Sequence, residues 1–197
     1  MDKQEVISYF NECAPTWDRQ YLPVDVFRRI LDTAGIAPGE TVLDVACGTG
    51  VMIPFYLERD VRSVTGIDIA PEMAKRAAEK FASHGNIRIV CGDVEETDFP
   101  EKFDHVMVHN AFPHFPDPAR LIDRLAGQLR RGGRLTVAHS MSREQINAHH
   151  SGSARHVSCA LMAAEELKAL FETHFSVDAV ISDGEMYLVS GILRSEE

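Results

Sequence analysis

From residue 41 onward the chain alternates between short apolar runs and segments of helical spacing, and this rhythm limits its possible folds more than any other feature. Thr41 to Ala46, Ser63 to Ile67, Ile87 to Cys91, Phe103 to His109 and Arg134 to His139 read as strands, with helical patterns over 51–59, 71–81 and 118–129. Strands that are apolar throughout, rather than at every second residue, predict a parallel sheet buried under helices on both faces. Pro71 stands where a helix tolerates proline, in its first turn. A polar segment, 140–158, and a helix over 163–171 come next. Two extended runs, 175–181 and 185–193, are then joined by Ser182-Asp183-Gly184 and read as an antiparallel hairpin at the sheet's edge. The expected fold is α/β and doubly wound.

The 197 residues suit one domain. Two amphipathic helical stretches within residues 1–35 predict an amino-terminal lid, and residues 140–162 an insert after the fifth strand. The composition, 45% apolar and 25% charged, is that of a soluble globular protein. There is neither an apolar run of roughly 18 residues nor a signal-peptide pattern, so a cytoplasmic protein without membrane partners is expected. A net charge of −10 repels nucleic acid and anionic lipid. The four cysteines form no CxxC pair, which leaves a disulfide framework or zinc knuckle unsupported.

Chemistry concentrates where the first strand ends. Cys47-Gly48-Thr49-Gly50 follows a buried strand, and such glycines let the backbone turn tightly against a ligand. Asp68 closes the next strand, where an acid accepts both hydroxyls of a ribose. The third glycine of a GxGxxG dinucleotide fingerprint is absent, as is a GxxxxGK[ST] phosphate loop.

DVACGTG at 44–50, GID at 66–68, GDVEETDFP at 92–100, FDHVMVHNAFPHFPDP at 103–118 and LRRGGRLTVAH at 129–139 occur in order. With them the chain resembles the class I S-adenosylmethionine-dependent methyltransferases over about residues 5–193, in particular the small-molecule branch of the ubiquinone and menaquinone pathways. The resemblance implies a Rossmann-like, seven-stranded, mostly parallel sheet with an antiparallel carboxy-terminal hairpin, and S-adenosylmethionine as cofactor. It implies that Asp44, Gly48 and Gly50 surround the cofactor's methionine part, joined by Asn110 and Ala111. Asp68 would hold the ribose, Ile69, Met73 and Val94 the adenine ring, and Asp93 its amino group. Tyr9 and Trp17 would close over the cofactor from the lid.

An acceptor has to approach from the carboxyl ends of the strands, and six of the nine histidines fall in segments expected there. Imidazole is suited to removing an acceptor's proton near neutral pH. His139 and His150 are the preferred bases, with His109 orienting the acceptor. His114, Arg143, Asn147, His149, Arg155 and His156 are substrate-binding candidates. Pro113-His114-Phe115 departs from the His-His-Phe often found in relatives. The histidines match no specific metal motif, and no metal is assigned. The leading expectation is in-line methyl transfer to an oxygen, nitrogen, sulfur or carbon atom of a small molecule. The alternatives are a protein or nucleic-acid methyltransferase and a non-catalytic cofactor-binding regulator. The edge hairpin leaves a homodimer open.

Overall fold

The computed structural model of the chain describes residues 1–19, 23–150 and 155–195, with the side chain of His150 outside that description. Seven strands are formed: β1 (Thr41–Val45), β2 (Ser63–Asp68), β3 (Ile87–Cys91), β4 (Phe103–His109), β5 (Leu129–His139), β6 (Phe175–Ser182) and β7 (Tyr187–Leu193). They make one sheet in the order β3-β2-β1-β4-β5-β7-β6. The first five are parallel, and β7 runs antiparallel between β5 and β6. This is the doubly wound, Rossmann-like sheet with its edge hairpin. The order reverses beside β1, where the loops after β1 and β4 diverge and leave a crevice.

The helices are α1 (Lys3–Cys13), α2 (Val24–Ala34), α3 (Ile53–Leu57), α4 (Pro71–Lys80), α5 (Pro118–Ala126), α6 (Arg143–His150) and α7 (Ala164–Phe171), with 3-10 turns at Ala14–Arg19 and Phe112–His114. Alternate residues of the central strands feed two separate cores. Leu43, Val45, Val106 and Val108 pack with Leu121 and Leu125 of α5 and Leu167 and Phe171 of α7. Val42, Val64 and Met107 pack with Phe27, Ile30 and Leu31 of α2 and Ile53 and Tyr56 of α3. A strand that is apolar at every position is thus buried on both sides, the condition that the sequence pattern predicts.

Three boundaries differ from expectation. The helix read over 51–59 is α-helical only at Ile53–Leu57, because the turn after β1 continues through Met52. Strand five starts at Leu129, which pairs with Phe103, and a register irregularity between Phe103 and His105 lets Gly132 and Gly133 pass within the strand. The polar segment after β5 contains α6. Ser142 and Gln145 cap it reciprocally, Gln145 N donating to Ser142 Oγ at 3.3 Å and Ser142 N to Gln145 Oε1 at 3.0 Å. Ile146 is its buried apolar anchor, so helical periodicity had little to show there.

At the opposite end of the sheet Asp104 ties β4 to β1. Its carboxylate accepts from Thr41 N at 2.7 Å, Thr41 Oγ1 at 2.8 Å and Arg130 Nη1 at 2.7 Å. Burial opposes the charge, but these donors outweigh it and hold the Asp104 pKa below the usual carboxylate value. A depressed folded pKa contributes stability above the unfolded value, lost as pH falls through the folded one. Asp104→Asn is therefore expected to cost about 2 kcal/mol at pH 7 in urea denaturation, with the difference from wild type shrinking below about pH 4.

Candidate active site

The carboxyl ends of β1, β2, β3, β4 and β5 open into a cavity of about 890 Å3, covered by α1, the 3-10 turn after it and the start of α2. Its floor begins with the turn after β1. Cys47 N donates to Ile67 O at 3.0 Å and Gly50 N to Cys47 O at 2.8 Å, folding residues 47–50 back over β2. Gly50 has φ +79°, and a Cβ there would come within 2.6 Å of the Phe81 ring and 2.9 Å of Ile53 Cδ1. Gly66 is set by packing: a Cβ would lie 2.9 Å from Cys47 Sγ. Ala46 (φ 53°) and Asn110 (φ 54°), both on the cavity wall, occupy the left-handed region although neither is glycine. Backbone strain thus sits at the ends of β1 and β4. Asn110 is held by its own amide, Nδ2 donating to Ser140 Oγ and Oδ1 accepting from Ser140 N, each at 2.9 Å.

Asp68 Oδ2 accepts from Gly48 N and Oδ1 from Ala70 N, both at 2.8 Å, which places the acid at the junction of the glycine turn and α4. Burial raises its pKa and the two amides pull it back only in part. Asp44 is more exposed to that cost. It is buried, its Oδ2 has no hydrogen-bond partner, and burial lifts its pKa to about 7. The Tyr56 hydroxyl beside it counters the rise without reaching hydrogen-bond geometry, and Asp68 adds to it. A carboxyl whose folded pKa is raised costs stability as pH climbs from the unfolded value toward the folded one. Asp44→Asn is expected to be more stable than wild type at pH 8 by about 2–4 kcal/mol in urea titrations, and equal to it near pH 4.

Of the residues that the resemblance places around the cofactor, Trp17, Asp44, Gly48, Gly50, Asp68, Ile69, Met73, Asp93, Val94, Asn110 and Ala111 line this cavity. Tyr9 is not among the lining residues; its ring meets Phe10 at 5.3 Å and His156 at 5.7 Å. Trp17 stacks edge-on to Phe10, which stacks in turn on His114 at 4.9 Å.

The histidines separate. His109 lines the cavity at the end of β4, edge-on to Phe27 at 5.0 Å, with Nε2 buried and unpartnered. Desolvation alone drops its pKa to about 3, so the ring is neutral across the physiological range. His114 also lines the cavity; its Nδ1 donates to Val157 O at 2.7 Å, and burial lowers its pKa despite that bond. His139 is buried edge-on to Tyr187 at 6.0 Å and is not a lining residue. The side chain of His150 lies outside the described residues. His149, Arg155 and His156 are exposed and do not line the cavity. Arg143 and Asn147 face Leu161 instead: Arg143 Nε donates to Leu161 O at 2.9 Å, and Asn147 Oδ1 accepts from Leu161 N at 2.7 Å. Among the described residues no cluster of three or more His, Cys, Asp or Glu is arranged to hold a metal ion.

The cavity also recruits residues that no motif marked, among them Lys3, Phe27, Met52, Met141 and Glu185. They come from α1, α2, the turn before α3, the end of β5 and the β6–β7 turn, segments brought together only by the fold. Arg29 of α2 holds that last turn through Asp183 at 2.9 Å and Glu185 at 3.3 Å.

A family model described as a methyltransferase domain matches residues 43–137. The chain is 34% identical over 151 residues to aklanonic acid methyltransferase of a Streptomyces species, covering 72% of this chain and 67% of that enzyme. It is 38% identical over 109 residues to 2-methyl-6-phytyl-1,4-hydroquinone methyltransferase of Synechocystis, 55% of this chain and 34% of the relative. The chain thus spans about two thirds of the first relative's length and about one third of the second's. Among solved structures, the N-methyltransferase NodS of Bradyrhizobium japonicum in complex with S-adenosyl-L-homocysteine superposes with a TM-score of 0.76 at 15% identity, over 97% of this chain and 98% of that one. A glycine turn held by the acid that ends β2, beneath a cavity at the switch point of this sheet, together with these similarities shows that the chain belongs to the class I S-adenosylmethionine-dependent methyltransferases, with S-adenosylmethionine as its cofactor.

Proposed function

We propose that this chain transfers the methyl group of S-adenosylmethionine to a small, uncharged acceptor seated beside His109. The observation that carries this reading is a pair of buried, unpartnered polar atoms on one cavity, Asp44 Oδ2 and His109 Nε2. Each lies among groups of the chain that leave it unsatisfied, and a buried polar atom of this kind is costly unless a ligand completes it. The residues fit the cofactor. Asp44 is an acceptor for its ammonium group, Asp68 retains lone pairs for the ribose hydroxyls, and Asp93 stands beside Val94 for the adenine amino group.

The cofactor supplies an electrophilic methyl group on a sulfonium; the chain's own task is to place and desolvate the nucleophile. Phe27 and Met52, both buried, make the acceptor side apolar. Among the described lining residues of α2, α3, β4, β5 and the β6–β7 turn there is no lysine or arginine to receive an anionic acceptor, and Glu185 opposes one. A neutral His109 Nε2 accepts a hydrogen bond from an acceptor O–H or N–H and fixes its direction. With so low a pKa it does not strip that proton beforehand; it receives it as the methylated atom becomes acidic. The base role thus falls to His109 rather than to His139. The hydroquinone enzyme among the relatives is named for an uncharged substrate, whereas aklanonic acid methyltransferase is named for an acid, so carboxylates stand beside phenols in the test.

The test uses labelled S-adenosylmethionine with a panel of phenols, alkyl thiols, arylamines, carboxylates, peptides and RNA. Label is expected in uncharged acceptors only; label confined to carboxylates, peptides or RNA would overturn the reading. Against the best acceptor, His109→Phe is expected to lower kcat/KM roughly 100-fold, with S-adenosylhomocysteine affinity unchanged within about twofold. Affinity for that cofactor product is expected to rise with pH through about 7, as Asp44 ionises to meet the ammonium, and to lose this dependence in Asp44→Asn. Calorimetry between pH 5.5 and 8.5 reads both.

A further inference from the structure

Lys3 is in the first turn of α1, far in sequence from every motif, and yet it lines the cavity. Its ammonium bonds Asp93 Oδ2 and lies 3.1 Å from Glu95 Oε2 and 3.8 Å from Glu96 Oε1. Asp93 and Glu95 line the same cavity and are largely buried, their side chains 15% and 6% exposed. Glu95 is braced from behind by Arg120 Nε at 3.4 Å. Burial works against the Lys3 charge, but the two carboxylates outweigh it and raise its pKa. This is a built contact between two half-enclosed acids and a cation, unlike the exposed Arg28–Glu58 pair on the far side of α2.

The rest of α1 is anchored elsewhere. Asn11 Oδ1 accepts from Glu72 N at 3.0 Å, the first turn of α4. Asp18, beyond the helix, bonds Thr49 Oγ1 of the glycine turn and meets Lys80 Nζ at 2.8 Å. Val6 packs on Val157. These ties hold the carboxyl end and middle of the segment; Lys3 ties its amino end to the loop after β3. Phe10 and Trp17, between the ties, line the cavity, and Trp17 Nε1 lies 3.5 Å from where a Gly48 Cβ would stand. Asp93 keeps room for a further donor. Oδ1 accepts from Glu95 N at 2.9 Å and Oδ2 takes Lys3, which leaves a lone pair on each oxygen.

We propose that Lys3 is a cofactor-positioning residue: bridging Asp93 and Glu95, it draws the start of α1 down over the adenine end of the site and sets how long the cofactor stays bound. The proposal rests on the reading above that Asp93 faces adenine. Lys3 does not touch the reacting atoms. It acts through Asp93, whose carboxylate it orients, and through the lid it closes. Because the tie is ionic and partly exposed, it weakens as salt screens it. Cofactor release from the wild-type protein is therefore salt-dependent.

Trp17 is the one tryptophan of the chain and stands in the cavity wall, so its fluorescence reports cofactor exchange without a label. The experiment is stopped-flow release of S-adenosylhomocysteine from the full chain, chased with excess S-adenosylmethionine, at 20–500 mM salt. Lys3→Met is expected to release the product about threefold faster than wild type at low salt and to flatten the salt slope, leaving only the part carried by the Asp18–Lys80 tie. Lys3→Arg is expected to restore both, and Glu95→Gln to reproduce the faster release. Arg28→Met, which breaks the distant exposed pair, is expected to release at the wild-type rate. Wild-type release that ignores salt, or a Lys3→Met protein with wild-type rate and salt slope, overturns the role of Lys3 while leaving the cofactor site intact. A wild-type protein that binds no S-adenosylhomocysteine overturns the cofactor reading itself and this inference with it. If Lys3→Met fails to fold, Glu95→Gln still decides: faster release with a flatter salt slope supports the role of Lys3, and a wild-type rate and slope overturn it.

Discussion

The two hydrogen bonds that Asp68 accepts, from Gly48 N and Ala70 N, hold together what the rest of the site requires. One oxygen fixes the glycine turn after β1 and the other the entry to α4. A single carboxylate therefore sets the distance between the loops after β1 and β2, beside the switch point of the sheet. Its charge is stabilised by backbone dipoles rather than by a cation, so it remains an acceptor toward the cavity. Gly66, two residues upstream, has no side chain because Cys47 packs against that position, and the turn would otherwise be pushed off β2.

Around this frame the molecule carries features that are poor choices for stability and good ones for binding. Asp44 and His109 are buried with unpartnered atoms, and Ala46 and Asn110 hold left-handed backbone at the ends of adjacent strands. Others, such as Gln128 Oε1 and the left-handed Asp60, lie off the cavity, but these four line it together, where a ligand can complete them. The cavity's acids suit a cofactor with two cationic centres and one carboxylate, while two of its cations, Lys3 and Lys80, are already engaged by Asp93 and Asp18. Cofactor recognition is thus electrostatic on the β2–β3 side. On the β4–β5 side the lining gives way to apolar packing around two imidazoles, His109 and His114.

Much of this was legible from the chain alone. Uninterrupted apolar strands announced a two-faced sheet, and β1, β3 and β4 lie within a residue of where the pattern put them. The short α3 and the early start of β5 were not legible, because one depends on how far a turn continues and the other on a pairing between Phe103 and Leu129 across the sheet. Most of the cofactor-side candidates stand at the ends of strands or directly after them, so their place followed from strand order. The histidines did not sort in this way. His109 and His139 both end a strand, yet one faces the cavity and the other packs on Tyr187. Arg143 and Asn147 resembled ligands for a substrate and instead hold the Leu161 backbone, a local need that polarity and position do not reveal.

The sequence by itself determined the strand rhythm, the glycine turn, the acids that end β2 and follow β3, and the family these compose. Each is local, carried by a few neighbouring residues whose backbone conformation or burial their own chemistry dictates. Only the tertiary structure decided which histidines line the cavity, that Asp44 Oδ2 is left without a partner, and that Lys3 reaches Asp93 from 90 residues away. Those outcomes depend on side-chain direction and on contacts between segments distant in the chain, and periodicity and propensity carry no information about either.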